Sequence, residues 1–343
     1  MCWTTAPSRR HCAAGEHSRV TEPSLPRGYG DIQTAVVALI DRLVPVVPVA
    51  DQPRTARKIA EVLASGPSTM AHAMFVRQSI IRAATATRDH VADGLATWAT
   101  ILFDIGNLRH DRARALGLKA DIPDDALTRA LARSRNGCIL AVPHLGCIEL
   151  LLAHLKDRGF TLGCVFTIGD PPTPTEQWLF EGRAASHAVP IQFGQRDTGA
   201  KIDAILRDNG VVLMAVDVYP SDKYQGIPVD IFGATFPFPP GPARYARSGT
   251  LVLPGFVSGR DTNGIAATIL DPIEFHPTDF TQRLAARIAG FIAEHPEAYW
   301  LWHPIPNDPF LAIARQQGQD LLHLTPADDD AVALEIEAFG SAL

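Results

Sequence analysis

The chain has 343 residues, of which 46% are apolar and 20% charged, and its 31 Lys+Arg against 37 Asp+Glu leave a formal charge of −6. This is a globular balance, long enough for one large domain or two modest ones, and without the positive field that nucleic acid requires. No stretch reaches the roughly 18 apolar residues of a membrane span, because AVVALIDRLVPVVPVA is broken by Asp41, Arg42 and two prolines.

Residues 1–30 mix Arg, His, Glu, Ser and Pro without periodicity and read as a mobile leader with no signal-peptide core. From 31 to 135 the pattern is helical: DIQTAVVALIDRLV, TARKIAEVLA, HVADGLATWATILFDI and DDALTRALARS, the last with Asp124 placed to cap it. After Gly137 strands alternate with helices. Strands are predicted at 138–142, 161–168, 188–193, 210–217, 251–257 and 265–270. Helices are predicted at 147–157, 174–186, 198–208, 240–248 and 277–294. The alternation predicts an α/β fold with a mostly parallel central sheet flanked by helices, on which the N-terminal helical region packs. Residues 31–343 then form one domain, with a helical part (31–135), a catalytic sheet (136–305) and C-terminal helices (306–343). In that tail, 309–317 and 328–340 read as helical, with the acidic 328–330 at a helix start.

The first strand runs into CILAVPHLGCIELLLAHL, where His144 stands between a buried strand and a helix of apolar period. In open α/β sheets ligands bind where strands end and helices begin. There His144 could take a proton from an acceptor hydroxyl, with Glu149 orienting the ring. Were both residues helical, five positions would set them about 140° apart, so His144 must precede the helix for the pair to meet. Helix-start N–H groups at Leu145 and Gly146 could hold an oxyanion. Zinc is the weaker reading, since no second histidine stands at i+4. Cys147 could be a nucleophile at a helix start, though cysteine within Ile- and Leu-rich sequence is more often core. The five cysteines contain no C-x-x-C pair and suit a reducing cytoplasm.

Later residues share that sheet edge. Asp217 closes the apolar strand VVLMAV, where it could order Arg183 or a loop. Arg183 offers a fork of donors for a phosphate or a thioester carbonyl. Arg244 and Arg247, one helical turn apart, could meet an acidic carrier protein or lipid phosphates, or simply face solvent. Trp300, Trp302 and His303 in YWLWHP are read as core beneath the site.

The series PHLGCIELL, FEGRAASHAVPI, GVVLMAVDVYP, VDIFGATFPFPPGPARYARSGTLVLPGFV and EAYWLWHP resembles, over about residues 70–305, the bacterial lipid A late acyltransferase family. That family includes lauroyl and myristoyl transferases, and phosphatidylinositol mannoside acyltransferases are its relatives. The resemblance implies a glycerolipid-acyltransferase-like fold, His144 as catalytic base with Glu149 as its carboxylate, and Arg183 and Asp217 as matching site residues. It implies an acyl group moved from a thioester, carried by acyl carrier protein or coenzyme A, to a hydroxyl or amine, with a glycolipid acceptor as the family default and no cofactor. Members of the lipid A branch usually carry an N-terminal membrane helix, and no stretch of this sequence reads as one. The chain also carries V-D-V where the lipid A branch shows a D-H-D-like cluster and the mannoside branch E-R-D. The expectation is a cytoplasmic protein with at most peripheral contact at the inner face of the plasma membrane. The alternatives are a soluble carrier-protein-dependent acyltransferase of specialised metabolism, a thioester hydrolase, and a non-catalytic lipid- or carrier-binding module.

Overall fold

The computed structural model describes residues 27–300 except 66–67, 135, 170, 218–225 and 262–263, together with the isolated positions 310, 313, 332, 334, 336, 338 and 340. Trp302, His303, most of the leader and the two expected tail helices lie outside the described residues, apart from those isolated positions. The leader expected through residue 30 is shorter at its end, because helix α1 begins at Arg27.

Chain order runs α1 (Arg27–Leu43), α2 (Gln52–Ser65), α3 (Thr69–Ile81), α4 (Arg88–His110), α5 (Arg112–Leu116), β1 (Ala120–Asp121), α6 (Asp125–Arg133) and β2 (Cys138–Val142). It continues with α7 (Ile148–Asp157), β3 (Leu162–Phe166), α8 (Pro174–Ala185), β4 (Val189–Gln192), α9 (Thr198–Arg207), β5 (Val211–Ala215), β6 (Ile227–Ile231) and β7 (Ala234–Phe238). The described chain closes with α10 (Gly241–Arg247), β8 (Leu251–Asp261), β9 (Gly264–Ile269) and α11 (Phe280–Glu294).

Seven strands form one sheet in the order β1-β9-β8-β2-β5-β3-β4. Every neighbouring pair is parallel except β8 with β9. Buried on both faces, the central strands read as unbroken apolar runs. Their side chains nonetheless alternate between two cores. Cys138, Leu140 and Val142 of β2 join the core shared with α1–α8, whereas Ile139 and Ala141 join the one shared with α9–α11. β6 and β7 form a separate antiparallel hairpin.

Helix α4 is the axle of the N-terminal layer. Thr87 and His90 close a capping box at its start, and from Leu95 to Leu108 nearly every residue is buried, so it carries no amphipathic stripe. Its Asp104 meets Arg260 of β8 in a fully buried ion pair. Arg260 Nη2 also donates to the Val49 carbonyl at 2.6 Å, and the amides of Gln52 and Asn107 bond each other at 2.8 and 3.1 Å. This network ties the helical layer to the sheet, as the expected packing of one upon the other requires. Burial pushes the Asp104 carboxyl up to about 6 against the opposing pull of Arg260. Asp124 does stand at the N-cap of α6, but its side chain makes no cap bond; the carboxylate lies 3.2 Å from Arg158 instead.

Candidate active site

Strand register builds the site. Cys138 pairs with Val211 and each later residue follows in step to Val142 with Ala215. Two residues beyond that last pair, at the same offset of 73, His144 meets Asp217. The connection after β2 leaves toward β3, while the chain after β5 leaves toward β8 on the other side. The pair therefore sits at the topological switch point of the sheet, where a crevice opens between diverging connections.

His144 Nδ1–H donates to Asp217 Oδ1 at 2.7 Å, and its backbone N–H donates to Asp217 Oδ2 at 2.6 Å. Both carboxylate oxygens are thus committed to one residue. The ring stands edge-on to Trp300, with centroids 5.0 Å apart and planes at 87°. With Nδ1 held, Nε2 is the nitrogen left to exchange a proton with substrate.

Glu149 is not the partner of His144. It lies in the first turn of α7, 1% exposed, and its Oε1 accepts from Arg183 Nε at 3.0 Å and Nη2 at 2.7 Å. Its Oε2 has no hydrogen-bond partner among the described residues. Arg183 reaches it from α8, lying over the Phe166 ring at 5.8 Å. Burial pulls the guanidinium's pKa down, but the charge and hydrogen bonds of Glu149 leave it raised overall. The expected His144–Glu149 pair is thereby corrected. Asp217 follows the neighbouring strand β5 at the matching offset, whereas α7 carries Glu149 to the buried Arg183.

The two expected oxyanion donors are spent. Leu145 N–H donates to the Pro143 carbonyl at 2.8 Å and Gly146 N–H to the Ala298 carbonyl at 3.1 Å. They belong to a strapped turn. Trp300 N–H donates to the His144 carbonyl at 3.0 Å, and its indole Nε1–H donates to the Gly146 carbonyl at 2.9 Å. Trp300 is buried, as its reading as core implied, and its role is to fasten the turn that aims His144. Gly146 has φ +63°, and a Cβ there would lie 2.5 Å from the Val257 carbonyl. Only glycine fits that conformation and that approach.

Cys147 takes the N-cap position of α7, but burial and the nearby carboxylates of Asp104 and Glu149 hold its thiol well above the ordinary range. Desolvation opposes the thiolate that a helix start would favour, and the side chain lies in the core, the commoner of the two readings. Cys164 and Cys138 are likewise pushed up by burial, to about 11 and about 12. Among the described residues no three of His, Cys, Asp and Glu are grouped to hold a metal ion.

Arg244 and Arg247 are exposed on α10 and form no ion pair among the described residues. The helix runs from the site's side of the sheet, where Gly241 faces Met214, toward the opposite edge, where β8 begins beside Cys138. Arg244 is the nearer of the two to the site. Arg183, bound to Glu149, is no part of that surface.

Residues 83–305 match the family model described as bacterial lipid A biosynthesis acyltransferase. No curated protein matches the chain. The matched span covers well over half of the sequence and contains His144, Glu149, Arg183 and Asp217. The chain belongs to this family and is an acyltransferase directed to a lipid-type acceptor. No described helix is long and apolar enough to cross a membrane.

Proposed function

We propose that the protein transfers an acyl group from a thioester of acyl carrier protein or coenzyme A to a hydroxyl or amine of its lipid-type acceptor, with His144 as general base. The observation that carries this reading is the Asp217 carboxylate bound to both Nδ1 and the backbone N–H of His144. A carboxylate on Nδ1 fixes the tautomer that leaves Nε2 as proton acceptor and stabilises the imidazolium that forms. Nε2 takes the acceptor proton as the acceptor oxygen or nitrogen attacks the thioester carbonyl. Collapse of the tetrahedral intermediate expels the thiolate, which receives that proton from the imidazolium. Glu149 and Arg183 serve as the buried brace under the catalytic turn. Arg244 and Arg247 are the surface to which an acidic carrier would dock.

The test is mass spectrometry of the purified protein with a glycolipid acceptor and a set of acyl thioesters. Acylated acceptor should form with the wild type, and His144→Ala should lose roughly 100-fold or more while keeping its melting transition. Free acid released without acylated acceptor would replace transfer by hydrolysis. Undiminished transfer by His144→Ala would overturn the assignment of the base.

A further inference from the structure

The β6–β7 hairpin pairs with no other strand among the described residues. Its two strands are joined by Phe232 and Gly233, both at positive φ, +52° and +75°. Glycine, asparagine or aspartate is the ordinary occupant of the first such turn position; a bulky aromatic there is strained and persists only where its surroundings hold it. Here an aromatic cluster does so. The Phe232 ring lies 6.2 Å from Phe236 and 5.9 Å from Phe310, and those two are 5.1 Å apart.

The same three rings wall an apolar cavity that begins at the site. Val216, Tyr299 and Ile288 are also on its wall, and among the described residues Asp217 is its one charged lining residue. The cavity measures about 20 Å³, room for about one water molecule, whereas pockets that enclose a ligand run to about 300 Å³ or more. An apolar wall next to the reacting pair therefore leaves little room, and Ile231, Phe232, Phe236 and Phe238 of the hairpin make up much of it. Beyond apolar packing, the side chain of Gln282 fastens the hairpin to α11. Gln282 Oε1 accepts from the Asp230 N–H at 2.9 Å, and Gln282 Nε2–H donates to the Asp230 carbonyl at 3.0 Å.

We infer that the β6–β7 hairpin is the movable wall of an acyl-chain pocket, and that Phe232 sets the length of chain admitted. The inference rests on the acyl-transfer reading above. A chain whose thioester carbonyl sits at His144 enters past Asp217 and displaces the Phe232 ring. The strain at Phe232 makes the closed state easier to leave. The ring's new position is then the end stop of the pocket, and Gln282 is the latch that the movement releases.

The experiment measures binding of S-alkyl pantetheine thioethers of increasing chain length to the full chain, alongside transfer from the matching thioesters. The pantetheine arm is common to coenzyme A and carrier protein. Phe232→Gly and Phe232→Asn both suit the left-handed backbone and remove the ring. Both should match the wild type on short chains and bind longer ones about fourfold tighter for each further methylene accommodated, with kcat/KM shifting toward the longer thioesters. Gln282→Ala should speed association without moving the preferred length. If both Phe232 variants prove unfolded by their melting curves, Phe236→Leu trims the same cluster from within a strand and carries the same expectation. A length profile unchanged from wild type in the folded variants overturns the inference, as does failure of every thioether to bind. Thioether binding with no transfer from any thioester overturns the proposed reaction instead, and the length profile still decides the role of Phe232.

Discussion

Asp217 grips His144 twice, Oδ1 at 2.7 Å from the ring Nδ1 and Oδ2 at 2.6 Å from the backbone nitrogen. The backbone contact fixes where the loop leaves β2, and the ring contact fixes which nitrogen faces substrate. One carboxylate therefore performs both the positioning and the electrostatic part of a general-base pair. The H-x-x-x-x-E spacing, which suggested that Glu149 did this, marks a different pair one layer below.

Asp217→Asn should keep the fold and lose most of the chemistry. An amide preserves the shape but no longer stabilises an imidazolium, so kcat should fall about 100-fold or more with little change in melting temperature. Steady-state kinetics beside a thermal melt would decide, and a near-normal kcat would remove Asp217 from the mechanism.

Glu149→Gln should act in the opposite way, on stability first. It leaves the Arg183 guanidinium, whose side chain is only 17% exposed, without its anion. Removing one partner of a buried pair costs about 3–5 kcal/mol, and the partial exposure of Arg183 favours the lower end. The double variant Glu149→Gln with Arg183→Met should regain part of that loss in denaturant titrations. Unchanged stability together with lost transfer would return Glu149 to the chemistry.

The division between these two carboxylates explains how far the sequence could be read. The runs CILAV and VVLMA announce buried strands, and the expected β2 begins and ends where it is observed. Each run is followed by two residues ending in a functional side chain, PH in one and VD in the other. Parallel pairing in register makes those two neighbours, but a period-2 pattern does not say which strands pair. Strand order is decided by long-range packing, so the sequence puts Asp217 at the correct edge without naming its partner. Spacing within one segment favours Glu149 because it carries only local distance. Helix α3 is hard to read for a related reason: even its Arg77 and Gln78 are buried, which erases any amphipathic signal. The β6–β7 strands are short and interrupted by Pro228 and Pro237, which spoils their alternation.

Gly146→Ala should damage the turn that presents His144. The added Cβ would lie 2.5 Å from the Val257 carbonyl and 2.8 Å from its side chain, at a φ of +63°. Strain of roughly 1–3 kcal/mol would be relieved by moving the loop away from β8. The expected result is a lowered melting temperature and a fall in kcat larger than the change in KM. An Ala variant with wild-type kinetics would show that the turn tolerates displacement.

Asp104 gives the pH dependence of stability a defined sign. Its carboxyl is raised from 3.8 to about 6 by burial, so the folded state favours the protonated form. That contribution is fully present below about pH 4 and is lost as pH rises through 6. Between pH 7 and pH 5 the wild type should therefore gain about 1 kcal/mol relative to Asp104→Asn, which does not titrate there. Urea titrations of both proteins at the two pH values measure the difference. A gap that stays constant would show that Arg260 holds Asp104 ionised throughout.

The donor surface is the last prediction. The protein carries −6 overall, so an acidic carrier must be met by a local patch, and Arg244 and Arg247 are exposed with no carboxylate neutralising them among the described residues. Exposed contacts of this kind act mainly on encounter and weaken as salt shortens the Debye length to about 3 Å at 1 M. Because α10 leads away from the reacting edge, Arg244→Glu should raise KM for a carrier-bound thioester more than Arg247→Glu does. Both should leave KM for a short free thioester unchanged, since that donor touches only the crevice. Salt should raise KM for the carrier-bound donor with the wild type and much less with the double reversal. Equal effects on both kinds of donor would dismiss α10 as the docking surface, because a change that reaches the free thioester acts at the crevice and not on the carrier.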